Sequence, residues 1–254
     1  MTNYLIKHLV ENSNNNNAYC LDLLKHELDW HIYDYGDHAN HGNRRGKRFR
    51  KEDFILLLKY ILHKNTFEQK RERNILSFIP FSLDETIKSI GFEPFSTCFN
   101  VRNNSSLIKS NFLIKSKIKL DKIIRSNDFN EIISNDFNFI KEFKIEYLKI
   151  IEKYDFTSLF VLTDQQFLSR VTIDVFKELN KKSFIFSHGL PAVYSKDIDN
   201  RSDYLMVWGE AIKQNFIEAG FEKEKIIVLG NPKYKNILQK KVINWNAKNI
   251  VVFP

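Results

Sequence analysis

TSLFVLTDQQFLSRVTIDVFKELNKKSFIFSHGL, residues Thr157 to Leu190, is the stretch from which the fold class follows. Thr157–Thr163 is an apolar run of strand length, and Gln165–Leu179 carries its apolar residues at helical spacing. Ser183–Phe186 is a second apolar run, rich in Phe and Ile with no polar break, which reads as a strand buried on both faces. Strand, helix and strand in succession make a βαβ unit, whose two strands lie parallel in one sheet. The second strand stops at Ser187-His188-Gly189, and Leu190-Pro191 follow. Ligands in open α/β sheets collect at the carboxyl ends of strands, so His188 is placed where a reacting group would be reached. Gly189 beside it would let the backbone turn and approach a ligand closely.

The same rhythm continues outward. Tyr204–Val207 and Ile226–Leu229 read as strands, separated by a helix over Ala211–Ala219 that Gly220 closes. Gly230-Asn231-Pro232 then starts a helix over Lys233–Gln239. Asn249–Phe253 is one more buried-type strand, after a polar linker over Lys240–Lys248. In the other direction, Cys20–Leu28 has helical spacing, and Asp29–Tyr35 reads as a strand that ends in a Gly- and Asn-rich loop over 36–42. DFILLLKYILH (Asp53–His63) is an apolar helix, Asn74–Pro80 a strand, Asp84 the start of a short helix ending before Gly91, and Phe95–Val101 a further strand. Between Ser105 and Tyr154 there is no Gly or Pro, and Ile, Leu and Phe recur every three or four residues among polar ones. That pattern predicts two or more amphipathic helices, broken near 126–128 and 134–136. The expectation is α/β: a Rossmann-like parallel sheet with a helical insertion over about 105–154.

Composition narrows the class. The 254 residues are 43% hydrophobic and 28% charged, enough for a substantial core. No apolar run reaches the roughly 20 residues that a membrane span needs, and the first residues lack a signal-peptide pattern, so a cytoplasmic protein is expected. Cys20 and Cys98 fit no disulfide or metal framework and read as buried small apolar residues. The formal net charge of +8 favours anionic partners: nucleic acid, phosphorylated substrates or an acidic membrane face. Much of the excess lies in one run, Arg44, Arg45, Lys47, Arg48, Arg50 and Lys51.

From Asp155 onward, the order of features resembles a known family. A strand ends in Thr163-Asp164, a second in Ser187-His188-Gly189-Leu190-Pro191, a third in Trp208-Gly209, and a fourth in Gly230-Asn231-Pro232 after a helix closed by Ala219-Gly220-Phe221. This resembles the second half of the N-terminal domain of GT-B-type glycosyltransferases of bacterial surface polysaccharides, together with the polyol-phosphate (teichoic-acid type) and Kdo transferases. The likeness covers about a hundred residues and leaves 1–150 without a counterpart.

The resemblance implies an N-terminal, acceptor-side domain over 1–240, followed at 241–254 by a linker and the first strand of a C-terminal donor-binding domain. On that reading the chain is truncated, since a buried strand at Asn249–Phe253 would normally feed a crossover helix. It further implies transfer of a sugar or polyol-phosphate from a nucleotide-activated donor, a nucleotide-sugar or CDP-polyol, to a hydroxyl of a lipid-linked or polymeric glycan. The setting would be capsule, lipopolysaccharide or teichoic-acid type cell-envelope biosynthesis. No cofactor beyond the donor and no metal are expected, and the truncated chain would have little activity alone.

Within this picture, His188 is the candidate general base, because imidazole titrates nearest ambient pH. Asp164 on the neighbouring strand would orient or polarise it, and Gly189 and Asn231 would line the cleft. His38 and His41, with Arg44 and Arg45 beyond them, would hold a phosphate of an anionic acceptor and support peripheral contact with an anionic membrane. A metal cluster drawn from His31, Asp34, Asp37, His38 and His41 is disfavoured, because strand alternation scatters the side chains and the spacing fits no metal motif. Two other classes remain: a GT-B-like sugar-nucleotide epimerase, and a basic nucleic-acid-binding α/β protein. The second lacks any RNA-binding or helix-turn-helix signature, so no nucleic acid is expected.

Overall fold

The computed structural model describes residues 18–26, 55, 58, 60–62, 73–79, 83–102, 105–124, 138–187, 194 and 200–230. Residues 18–26 form helix α1, and the described positions 55, 58 and 60–62 are helical and belong to α2. There follow β1 (Asn74–Ser77), α3 (Leu83–Ser89), β2 (Glu93–Ser96), β3 (Ser106–Leu107), α4 (Asn111–Ile124), α5 (Asn138–Lys153) and β4 (Phe156–Val161). The order continues with α6 (Phe167–Glu178), β5 (Lys182–Phe186), β6 (Tyr204–Val207), α7 (Glu210–Glu218) and β7 (Ile226–Val228). Among the described residues, the seven strands form one sheet in the order β3-β2-β1-β4-β5-β6-β7. Every pairing is parallel. The protein is therefore α/β, with a Rossmann-like sheet.

Strand alternation divides the apolar residues between the two faces of the sheet. One face carries Phe156, Leu159, Val161, Ile185, Leu205 and Val207 into the main core, where α5 brings Phe139, Ile140, Phe143, Tyr147 and Ile151 and α6 brings Phe167, Val171, Val175 and Phe176. The other face carries Phe160, Leu162, Phe184, Phe186 and Met206, joined by Ile79. On it, Phe160 stacks on Phe184 and Phe184 on Tyr204, each pair with centroids 5.2 Å apart. Both cysteines are buried and unbridged, as expected of small apolar residues.

The helix ends explain where the strands start. α5 and α6 both finish on a residue in the left-handed region, Asp155 (φ 46°) and Asn180 (φ 54°), residue types that tolerate it best after glycine. Each turn delivers the chain into a strand, and Lys181 Nζ pairs with Asp155 Oδ1 at 2.7 Å to tie the two turns together. Gly220 closes α7 with φ 97°, as its position in the sequence predicts.

Two expectations shift. The strand read over Phe95–Val101 lies at Glu93–Ser96. Thr97 to Asn100 instead form a turn, with the Thr97 N–H donating to Asn100 Oδ1 at 3.0 Å. Pro94 is tolerated because β3 pairs with β2 only from Phe95 onward. The segment 105–154 holds the edge strand β3 as well as α4 and α5, and carries the chain from β3 back across to β4. The strand expected at Asp29–Tyr35, the helix at Lys233–Gln239, the linker over 240–248 and the strand at Asn249–Phe253 lie outside the described residues.

Candidate functional site

The strand order locates the site. From β1 the chain winds outward through β2 to β3, then returns to place β4 on the opposite side of β1 and winds on to β7. β1 and β4 are thus the neighbours at which the winding direction reverses, and the crevice at their carboxyl ends is where such sheets take ligands. Phe78 and Ile79 leave β1 there, and Leu162, Thr163 and Asp164 leave β4. The Phe78 N–H donates to Phe160 O at 2.8 Å, which extends the β1–β4 pairing to this edge.

On the β4 side, Thr163 Oγ1 accepts the Gln165 N–H at 3.2 Å and turns the chain into α6. The positive end of α6 therefore faces the carboxyl edge. Asp164 is buried, and its Oδ2 accepts the backbone N–H of Arg201 at 2.6 Å. Its carbonyl accepts Arg170 Nε at 3.0 Å. Arg170 and Arg201 both reach Asp22 on α1, Arg170 Nη1 lying 3.4 Å from Asp22 Oδ1 and Arg201 Nη2 bonding Asp22 Oδ2. The imidazole of His26, one turn further along α1, is half-buried; burial, and secondly the Arg170 guanidinium, push its pKa below the ordinary 6.5.

On the β1 side, Arg102 makes a buried fork. Its Nε pairs with Asp84 Oδ2 at 2.8 Å, Nη2 donates to Phe95 O at 3.1 Å, and Nη1 donates to Ser77 O. Asn100 Nδ2 donates to the same Ser77 carbonyl at 3.1 Å. One arginine thus gathers the carboxyl ends of β1 and β2, and the other oxygen of its partner, Asp84 Oδ1, is buried with no hydrogen-bond partner.

The β5 exit is fixed just ahead of the His-Gly motif. The Ser187 N–H donates to Met206 O at 2.9 Å, and its carbonyl accepts the Trp208 indole N–H at 2.7 Å. Trp208-Gly209 therefore does more than end a strand: its indole holds the chain at the residue before His188. Gly209 itself is extended (φ −170°) as the cap of α7, a conformation any residue adopts. Gly230 at the β7 exit has φ 76° and does need glycine.

No protein-family model and no curated protein matches this chain. The site is characterised by its own geometry.

Of the candidate residues, Asp164 is described, at the β4 exit and next to the β1–β4 crevice. His188, Gly189, Asn231, His38, His41, Arg44 and Arg45 lie outside the described residues. Among the described residues no group of three or more His, Cys, Asp or Glu side chains is arranged to hold a metal ion. No helix among them is long and apolar enough to cross a membrane. Sequence reasoning missed Arg102, Asp84, Arg170, Arg201 and Trp208. A signal did exist for Arg170: it falls between Phe167 and Val171 on the apolar stripe of α6, where an arginine needs a buried partner.

Proposed function

We propose that this protein is a GT-B-type glycosyltransferase of bacterial surface polysaccharide biosynthesis, contributing the acceptor-side Rossmann-like domain. The observation that carries the reading is the strand order. It puts the Thr163-Asp164 exit of β4 at the reversal point of the sheet and the Ser187 exit of β5 on the adjoining strand. The two polar strand ends of the sequence motif therefore belong to neighbouring strands, and one edge of the sheet carries both.

In this reading His188 follows directly on the Ser187 anchor and removes the proton from the acceptor hydroxyl as oxygen attacks the donor. The donor is a nucleotide-sugar or a CDP-polyol: with the first the anomeric C–O bond breaks and the nucleotide leaves with the electron pair, and with the second the oxygen attacks the polyol-bearing phosphorus, the P–O bond of the diphosphate breaks and CMP leaves with the pair, His188 keeping the proton in both. Asp164 and Trp208 are positioning residues, since the first fixes Arg201 ahead of β6 and the second fixes the residue before His188. Asn231 and Gly189 line the cleft, while His38, His41, Arg44 and Arg45 bind the phosphate of a lipid-linked or polymeric acceptor.

The test is nucleotide release. The chain, with any sequence that follows Pro254 in its reading frame, is incubated with a panel of nucleotide-sugars and CDP-polyols, with and without polysaccharide acceptors. Acceptor-dependent release is expected, and His188→Ala should lower it by about a hundredfold to ten-thousandfold, the usual contribution of a general base. Absence of acceptor-dependent release from every donor would sink the proposal.

A further inference from the structure

Two apolar surfaces remain open among the described residues, one on a helix and one on the sheet. On α2, Ile55, Leu58, Ile61 and Leu62 are 40%, 43%, 63% and 67% exposed, whereas Tyr60 between them is buried in the main core. Its hydroxyl accepts the Ser110 N–H at 2.7 Å, which anchors the helix. At 3.6 residues per turn, Ile55, Leu58 and Leu62 fall within about 60° of one another, and Tyr60 is about 180° from the middle of that stripe. The helix is thus held by one side and presents an aliphatic stripe on the other. Singly exposed aliphatics are ordinary, but four within eight residues of one helix form a patch that calls for a partner.

The second surface is the face of the sheet opposite the main core. Phe160, Phe184 and Tyr204 lie in register on β4, β5 and β6 with their rings stacked in a row, and Leu162 continues that face at the β4 exit. All four are only partly buried. Among the described residues, the apolar cluster on this face comes from strands and their exits alone, while α1, α2, α4, α5, α6 and α7 all pack into the main core. Parallel sheets are covered by helices on both faces, so a partly open aromatic row that no described helix covers is a seat for one. Three strands span about 10 Å, and the stripe from Ile55 to Leu62 is about 10 Å long. α2 cannot fill the seat of its own chain, because Tyr60 holds it in the core on the other face. One chain therefore carries a helix stripe without a sheet and a sheet face without a helix.

We infer that two copies of this chain pair by exchange, the aliphatic stripe of α2 in each packing across Phe160, Phe184 and Tyr204 of the other. Reciprocal contacts of this kind close about a two-fold axis, so the dimer contains the contact twice and leaves neither surface open. The pairing does not depend on the transfer chemistry proposed above.

Sedimentation velocity of the full chain over a concentration series tests this. The wild type should dimerise. The combined replacement Ile61→Gln and Leu62→Gln, at exposed positions, should leave the melting temperature unchanged and weaken the dimer at least about tenfold. Phe160→Thr, which keeps a strand-favouring residue in β4, should weaken it likewise, and Tyr204→Thr takes its place if that variant unfolds. The deciding sample is an equal mixture of the helix variant and the sheet variant. Neither variant alone has an intact contact, but the mixed pair keeps one, wild-type helix on wild-type sheet, so the mixture should dimerise more strongly than either component. Three results would overturn the inference: a wild type that stays monomeric up to its solubility limit; a helix variant that dimerises as well as the wild type; or a mixture no more dimeric than its components, as expected if two α2 stripes met each other. A dimer without any donor turnover would uphold the exchange and count against the transferase alone.

Discussion

Arg102 and Asp84 form a small unit of buried charge whose loss is measurable. The side chains are 9% and 4% exposed, and the guanidinium also serves the carbonyls of Ser77 and Phe95. Replacing Arg102 by Met should destabilise the protein by about 3–5 kcal/mol, because Asp84 is left buried and unpaired. Adding Asp84→Leu should restore much of that, since an apolar pair avoids the desolvation cost; chemical unfolding of both variants gives the comparison. Neither residue stood out in the sequence. Asp84 reads there as an ordinary acidic first-turn residue, and Arg102 as a loop residue, because their separation of 18 positions is bridged only by folding. Asp164 was legible as a polar strand end, but the partner of its carboxylate, the N–H of Arg201, lies 37 positions away. Local pattern gives the place of such a residue and is silent about its partners.

At the scale of elements, β5 and β6 are pinned at their starts by one carboxylate. Asp203 Oδ2 accepts both the N–H and the hydroxyl of Ser183, each at 2.9 Å, and Lys182 Nζ lies 3.5 Å from Oδ1. Burial works to raise the Asp203 pKa, but the Ser183 bonds and the Lys182 charge outweigh it and hold the carboxyl below its ordinary 3.8. A depressed carboxyl pKa contributes stability that is full above the unfolded value and is lost as pH falls through the folded one. Asp203→Asn should therefore lower the melting temperature at neutral pH and bring it closer to the wild type in acid below about pH 3. The strands most legible in the sequence were those of this half: Tyr204–Val207 was read with its observed limits, and β4, β5 and β7 within two residues at each end. Each is centred on a short apolar run: LFV in β4, FIF in β5, YLMV in β6 and IIV in β7. β3 escaped notice because two residues, Ser106 and Leu107, carry no period; the sheet edge beside β2 creates it.

For the whole molecule, fold class followed from the alternation of strands and helices, while the site did not. Strand order depends on which strands meet after long excursions, and the return from β3 to β4 leaves no local mark. The same long range shows in pH dependence. His26 on α1 faces Arg170 of α6, and with a folded pKa below 6.5 its neutral form favours the folded state. Its contribution is complete above 6.5 and is lost as pH falls through the folded value. Urea unfolding should show stability declining from about pH 7 to pH 5, and His26→Gln should flatten that decline.

Helix α1 finds its partners far along the chain: the Tyr19 hydroxyl bonds Asp174 at a separation of 155 residues, and Asp22 bonds Arg170 at 148 and Arg201 at 179. Its buried side, Cys20, Leu21, Leu23 and Leu24, joins the same core as β4 and α6. During synthesis at about 5–20 residues per second, that apolar side is made roughly eight to thirty seconds before α6 is complete. Through this interval the nascent chain carries a helix whose apolar side still lacks its α6 partners, which makes that segment a natural client for ribosome-bound chaperones.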